Sequence, residues 1–428
     1  MTPGLIFLAQ ALVVVALPVV LLRFSKLKGL VPLVVVQILV GIALGPSLFG
    51  RFAPEAYHLF FNNTALSALS GIGAIAVLTF GLITGLHLDP SIFRHNGRAP
   101  MVVALASIVV PTALGCIAGF WIVARHPQEL APNVSSSAFA AAIGISTGVT
   151  ALPVLGAILR EMDLLGREIG HLALAVAGLN DVALWIVLGV LLTAVMGNPA
   201  EGSATVIRIA CVPVYLGVML YVVRPLLGQM VVSRMRGGEV QERALAVVAG
   251  VTIASALTTE ALGLHYIIGA FVTGAIIPEN LRKPILDRLQ VMTVALLMPF
   301  FFMLTGLRTL IDPGSSAFLE IFAVATVVAV IGKVGGSAIA ARLVGHSWPT
   351  ALALGGLLQT KGLMEVIVLA ILLDAGIISA NVFAALILMA VVSTALAMPG
   401  ARLMLARESE ALGGRIEPLV SAGRADGS

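Results

Sequence analysis

The chain has 428 residues, of which 59% are hydrophobic and only 11% charged, and its mean hydropathy is +1.07. A soluble domain carries about 25% charged residues, so this composition excludes a water-facing surface over most of the molecule. The net charge of +4 is scattered through short polar stretches, which excludes a nucleic-acid-binding face, and both cysteines, Cys116 and Cys211, lie in apolar runs, which excludes a disulfide framework and a thiolate metal site.

The first apolar run, Leu5 to Leu22, has no cation before it and Arg23, Lys26 and Lys28 after it. That order reads as a membrane helix with its N-terminus outside, not as a cleaved leader. Further along, the hydropathy predicts thirteen transmembrane helices, at about 4–22, 30–49, 66–86, 100–124, 137–159, 168–196, 204–226, 242–259, 263–279, 290–308, 317–343, 350–373 and 381–400. With the N-terminus outside, the inner loops collect Arg94 and Arg98, Arg160 and Arg167, Arg234, Arg236 and Arg243, Arg282, Lys283 and Arg288, Arg342, and Arg402 and Arg407. The outer side keeps few, among them Arg51, Arg125, Arg208 and Arg308. This asymmetry predicts an odd number of spans with the C-terminus in the cytoplasm. The stretch 401–428 is expected to be a short polar tail with no soluble regulatory domain after it.

Several blocks recur. Phe80-Gly-Leu-Ile-Thr-Gly-Leu86 returns as Phe301-Phe-Met-Leu-Thr-Gly-Leu307. Ile38-Leu-Val-Gly41 is echoed by Ile267-Ile-Gly269, and Gly144 to Leu159 by Gly356 to Leu372. The partners fall in spans 2, 3 and 5 and in spans 9, 10 and 12. A separation of seven spans reverses direction, so the expectation is an all-α polytopic fold of two inverted-topology repeats.

Spans 5 and 12 are the paired irregular helices. One carries Ser146-Thr-Gly-Val-Thr150 and then Pro153; the other carries Gln359-Thr-Lys-Gly362. A helix interrupted at mid-membrane is tolerated only beside protein or water, and it exposes N–H groups at one broken end and C=O groups at the other. Between them in sequence lies span 6, where Asn180 and Asp181 sit near the centre of an apolar run. A midplane carboxylate costs several kcal/mol and marks a functional site by default. Asp181 is therefore the expected seat of a proton or a monovalent cation, with Asn180 and the hydroxyls of Thr147 and Thr150 as further oxygen donors. Lys333, mid-span among glycines, needs a carboxylate or carbonyl, and Asp181 or Asn180 is the expected partner. Lys361 and Glu365, four apart, are expected to share a helix face and to neutralise each other and the broken helix ends. Glu260 near the outer end of span 8 is a candidate for selectivity, and His171 for pH sensing. No cofactor is expected, and no phosphate-cradling loop or nucleophile–base pair points to an enzyme.

Five stretches carry a resemblance: Thr150-Ala-Leu-Pro-Val-Leu-Gly-Ala-Ile-Leu159, Gly178-Leu-Asn-Asp-Val-Ala-Leu-Trp185, Ile267-Ile-Gly-Ala-Phe-Val-Thr-Gly274, Pro299-Phe-Phe-Phe302 with Gly306, and Thr360-Lys-Gly-Leu-Met-Glu365. In this order, over about 30–400, the chain resembles the cation/proton antiporter superfamily, in the branch holding Kef-type potassium/proton antiporters and plant CHX exchangers. The resemblance implies thirteen helices with two crossing discontinuous ones, usually in a homodimer. It implies a moving core (100–196 and 317–400) within a scaffold (4–86 and 204–308). It matches Asp181 to the ion-carrying aspartate, Asn180 to a position holding Asp or Asn, and Lys333 to the basic residue before the second broken helix. Kef-type relatives carry cytosolic nucleotide-binding domains and CHX relatives a long tail. Neither is expected here, so their regulation does not carry over.

These readings converge on exchange of K⁺ or Na⁺ for H⁺ in a plasma membrane, or a bacterial inner membrane, with Asn180 in place of a second acid implying electroneutral one-for-one exchange. A cation channel and a sodium-coupled organic-anion symporter remain the alternatives. An accessory subunit is not readable from the residues.

Overall fold

In lipid every backbone amide must find its partner within the segment, so apolar runs of this length fold as helices. The computed structural model describes residues 3–24, 33–61, 63–87, 98–196, 202–232, 235–236, 239–240, 242–309 and 315–411. The loop cations Lys26, Lys28, Arg94 and Arg234, and the sequence beyond Ala411, lie outside the described residues.

The elements run in order: α1 (Pro3–Phe24), α2 (Leu33–Leu44), the short α3 (Phe49–Phe52) and α4 (Pro54–Phe60), α5 (Asn63–Leu86), α6 (Ala99–Arg125), α7 (Ser136–Gly148), α8 (Leu152–Glu161) and α9 (Glu168–Met196). There follow α10 (Gly202–Val218), α11 (Arg224–Val232), α12 (Glu242–Ala261), α13 (Tyr266–Ile276), α14 (Glu279–Met292), α15 (Met298–Arg308), α16 (Ser316–Val330), α17 (Gly336–Leu343), α18 (Trp348–Leu358), α19 (Gly362–Asp374) and α20 (Ala380–Ala411). A two-stranded antiparallel ribbon, Met235–Arg236 with Glu239–Val240, precedes α12. Among the described residues, nine helices are long and apolar enough to cross a bilayer, and shorter apolar helices lie at Val36–Phe52, Tyr266–Ile276 and Trp348–Leu358. Single π-helical turns join α10 to α11, α14 to α15 and α16 to α17, and the last of these contains Lys333. The final helix does not stop at Gly400: it continues through Arg402 and Arg407 to Ala411, so the first part of the expected tail is helical.

Small residues set the close crossings, as they do where lipid supplies no hydrophobic drive between helices. A Cβ on Gly41 of α2 would lie 2.5 Å from the Met303 carbonyl, and one on Gly306 of α15 would lie 2.4 Å from the Ile38 carbonyl. The same interlock recurs between α5 and α13, where a Cβ on Gly85 or Gly274 would come within 2.1 Å of the facing backbone. Helices α6 and α7 meet the same way through Gly115, Gly119 and Gly144. Each glycine is the condition for backbone contact, and each crossing fixes two helices against sliding.

Candidate functional site

The site is built where two helix breaks meet. Helix α7 ends at Gly148, Val149 and Ala151 are extended, and α8 restarts at Leu152 with a proline in its first turn. Proline there costs nothing, because the missing N–H had no intrahelical partner. The second break follows Leu358: α18 stops, and α19 restarts at Gly362 with φ +53°. Any other residue would be strained at that φ, and a Cβ would lie 2.6 Å from Val154 Cγ2. The two breaks bond to each other. Ala151 N donates to the Thr360 carbonyl at 2.7 Å, and Thr150 Oγ1 donates to the Leu358 carbonyl at 3.0 Å.

The broken ends are neutralised unequally. The carbonyl end of α7 carries the negative end of the helix dipole, and two lysines meet it. Lys361 Nζ donates to the Ser146 carbonyl at 2.7 Å and the Thr147 carbonyl at 3.0 Å, and lies 3.4 Å from Glu365 Oε2. All three ammonium protons thus have acceptors. Lys333 Nζ donates to the Gly148 carbonyl alone. The expected direct partnership of Lys333 with Asp181 or Asn180 is replaced by this carbonyl, which the break leaves without an intrahelical donor. Lys361 and Glu365 pair as expected, 3.4 Å apart, with Lys361 standing at the break as the residue just before α19. The amide end of α19 is capped by Thr394 of α20, whose Oγ1 accepts from Lys361 N and Gly362 N at 3.2 Å. Glu365 in the first turn complements the positive end of that helix.

Asn180 ties α9 to the first break. Its Nδ2 donates to Thr150 Oγ1 at 3.2 Å and to Ser107 Oγ of α6 at 2.9 Å. Thr147 Oγ1 donates to the Pro111 and Gly144 carbonyls at 2.8 and 2.9 Å, so the oxygen it turns toward other groups is a lone pair. Asp181 stands apart from this satisfied network. It is 1% exposed, and neither carboxylate oxygen has a hydrogen-bond partner. One turn on, Trp185 packs against Phe271 of α13 with ring centroids 5.9 Å apart, so this side of α9 faces the α13 seam. Gln359, at the second break, is also buried with both ends of its amide unpartnered.

The residues singled out from sequence therefore divide. Asn180, Thr147, Thr150, Lys333, Lys361 and Glu365 gather at the crossing, with Asp181 beside them. Glu260 and His171 do not join it: Glu260 accepts Tyr266 N at 2.8 Å at the exposed end of α12, and His171 is exposed on the first turn of α9. Ser107, Thr394 and Gln359 were not among those candidates. Ser107 and Thr394 look like ordinary small polar residues in apolar helices, while Gln359 was visible as part of the interrupted stretch.

Comparison with known proteins places this geometry. The sodium/hydrogen exchanger transmembrane family matches residues 12–406. Cation/H(+) antiporter 17 of Arabidopsis thaliana is 32% identical over 86% of this chain and 44% of its own length, and the chain spans about half the length of the curated plant relatives it matches. The Na(+)/H(+) antiporter NhaS4 of Synechocystis is 28% identical over 91% of this chain and 96% of its own length. The solved structure of the sodium proton antiporter MjNhaP1 from Methanocaldococcus jannaschii shares the fold, with a TM-score of 0.62 over 94% of this chain and 99% of that one at 15% identity. Named relatives of this kind are transporters, and none of these names describes an enzyme. With the crossing helix breaks in place and nearly its whole length matched, the chain belongs to the sodium/hydrogen exchanger transmembrane family.

Proposed function

We propose that this chain is a secondary active antiporter that exchanges a monovalent cation, K⁺ or Na⁺, for a proton at Asp181 by alternating access. The observation that carries the reading is the carboxylate itself: buried, unbonded at both oxygens, and next in sequence to Asn180, which bonds to the first of two helix breaks that are hydrogen-bonded to each other. A charge held this way needs a mobile counter-ion or a proton. Either one neutralises the carboxylate, so proton and cation compete for one seat, with Thr147, Thr150, Asn180 and backbone carbonyls offering further oxygens.

The polypeptide crosses the membrane thirteen times, N-terminus outside and C-terminus inside, as two inverted repeats. The glycine crossings support the repeat. An operator that maps span 2 onto span 9 and span 3 onto span 10 turns the α2–α15 crossing into the α13–α5 crossing, and both are interlocked through paired glycines. Spans 4–6 and 11–13 move as the core against the remaining scaffold, in a homodimer. An empty, negative core crosses poorly and a loaded one crosses, which makes exchange obligatory. With Asn180 in place of a second acid beside Asp181, and Glu365 paired to Lys361, exchange is electroneutral.

The test is proton flux in liposomes holding the purified full chain, with K⁺, Na⁺ and Li⁺ added in turn. A cation-dependent proton movement is expected, and it should vanish in Asp181→Asn. Cation flux that survives without proton counterflow would instead establish a channel.

A further inference from the structure

The second half of span 7 carries a charge that the exchange site does not use. Arg224 lies within the apolar run Ala210–Val231, about 10 Å of helix from its end. Its side chain is exposed, and among the described residues no carboxylate pairs with it. An arginine on the lipid-facing side of a spanning helix is costly unless its guanidinium snorkels to the interface, where lipid headgroups offer it anionic acceptors.

The backbone around it is shaped. Pro225 lacks the N–H that would bond the Tyr221 carbonyl, and the turn before it widens to a π-turn closed by Arg224 N on the Met219 carbonyl. One turn later comes Gly228, where a Cβ would lie 3.3 Å from Cγ of Pro278, the residue just before α14. The result is an open groove of about 570 Å³ lined by Leu220, Tyr221, Pro225, Gly228 and Pro278, with Arg224 and Gln229 as its polar groups. Tyr221 is 83% exposed, an aromatic with a polar tip of the kind that marks the headgroup level.

We propose that this groove binds one anionic phospholipid, its phosphate on Arg224 and Gln229 and an acyl chain along Leu220 and Tyr221. The occupant is a lipid and not a soluble phosphate, because the groove is apolar apart from Arg224, Gln229 and the tip of Tyr221 and opens onto the surface of a spanning helix. On the orientation given above it faces the cytoplasmic leaflet, where anionic lipids collect. The proposal requires that α10 and α11 span the bilayer; it does not require the exchange chemistry, so the two fail separately.

The experiment is a lipid titration of the delipidated full chain in detergent, read by native mass spectrometry and thermal shift. Phosphatidylglycerol and phosphatidylcholine of the same acyl chains are compared, with glycerol phosphate as the soluble arm. Wild type should retain phosphatidylglycerol about fivefold more tightly than phosphatidylcholine. Arg224→Gln should erase that preference, and Gly228→Leu, which fills the groove and leaves the charge, should weaken both lipids. Equal binding of the two lipids by wild type, an unchanged preference in Arg224→Gln, or equal protection by glycerol phosphate would each overturn the proposal.

Discussion

Two buried lysines end on one broken helix, yet their surroundings differ, and so should their variants. Lys361 Nζ has three acceptors, whereas Lys333 Nζ has one. Lys361→Met would strand Glu365, whose other oxygen is already without a partner. Breaking a buried pair costs about 3–5 kcal/mol. The expected outcome is a clear drop in melting temperature for Lys361→Met and a smaller one for Lys333→Met, with part of the loss restored in the Lys361→Met/Glu365→Met double variant. Thermal unfolding in detergent measures all three, and equal losses for both lysines would contradict the assignment. At Asn180 the contrast is chemical. Asn180→Asp adds a second acid beside Asp181, so exchange should begin to move net charge, visible as current on a solid-supported membrane where wild type gives none. How much of this was legible in sequence follows from the physics of each residue. Asp181 was visible because a carboxylate in an apolar run has few explanations. The Lys333 contact with the Gly148 carbonyl was not, since the break leaves a backbone acceptor that no residue type announces.

At the scale of elements, both breaks were readable from hydroxyl, glycine and proline residues stranded at mid-span, but their mutual bonding was not. The Ala151–Thr360 hydrogen bond joins segments far apart in sequence through backbone atoms that every residue possesses. The positive φ of Gly362, by contrast, makes a local prediction. Gly362→Ala should cost about 1–2 kcal/mol for the left-handed backbone, with the overlap on Val154 added to that. Its melting temperature should fall and its transport rate with it, while Gly156→Ala, where a Cβ meets nothing within 4 Å, should leave both near wild type. The last helix runs past the expected span end at Gly400 for an equally physical reason. Arg402, Met404 and Arg407 are good helix formers, and charge marks the edge of the membrane without ending a helix.

For the molecule as a whole, the proposed sharing of one carboxylate by two ions sets how transport depends on pH. If a single proton must leave before one cation binds, the apparent KM for the cation should fall about tenfold for each unit that the pH rises along the acid limb, and level off above it. A slope near two would require a second proton site, and Glu365 would be the group to examine. The helical membrane class was legible from composition alone, because apolar runs in lipid have only one way to satisfy their amides. The side-chain contacts between helices were less so: Ser107 and Thr394 do their work through neighbours that only folding brings near.

The seams at Gly41 with Gly306 and at Gly85 with Gly274 leave no side-chain padding between the backbones they join. Padding is what lets two rods roll or yield under load. Stripped of it, each of these two helix pairs acts as a welded frame, and the stroke of the proposed exchange must be taken up elsewhere.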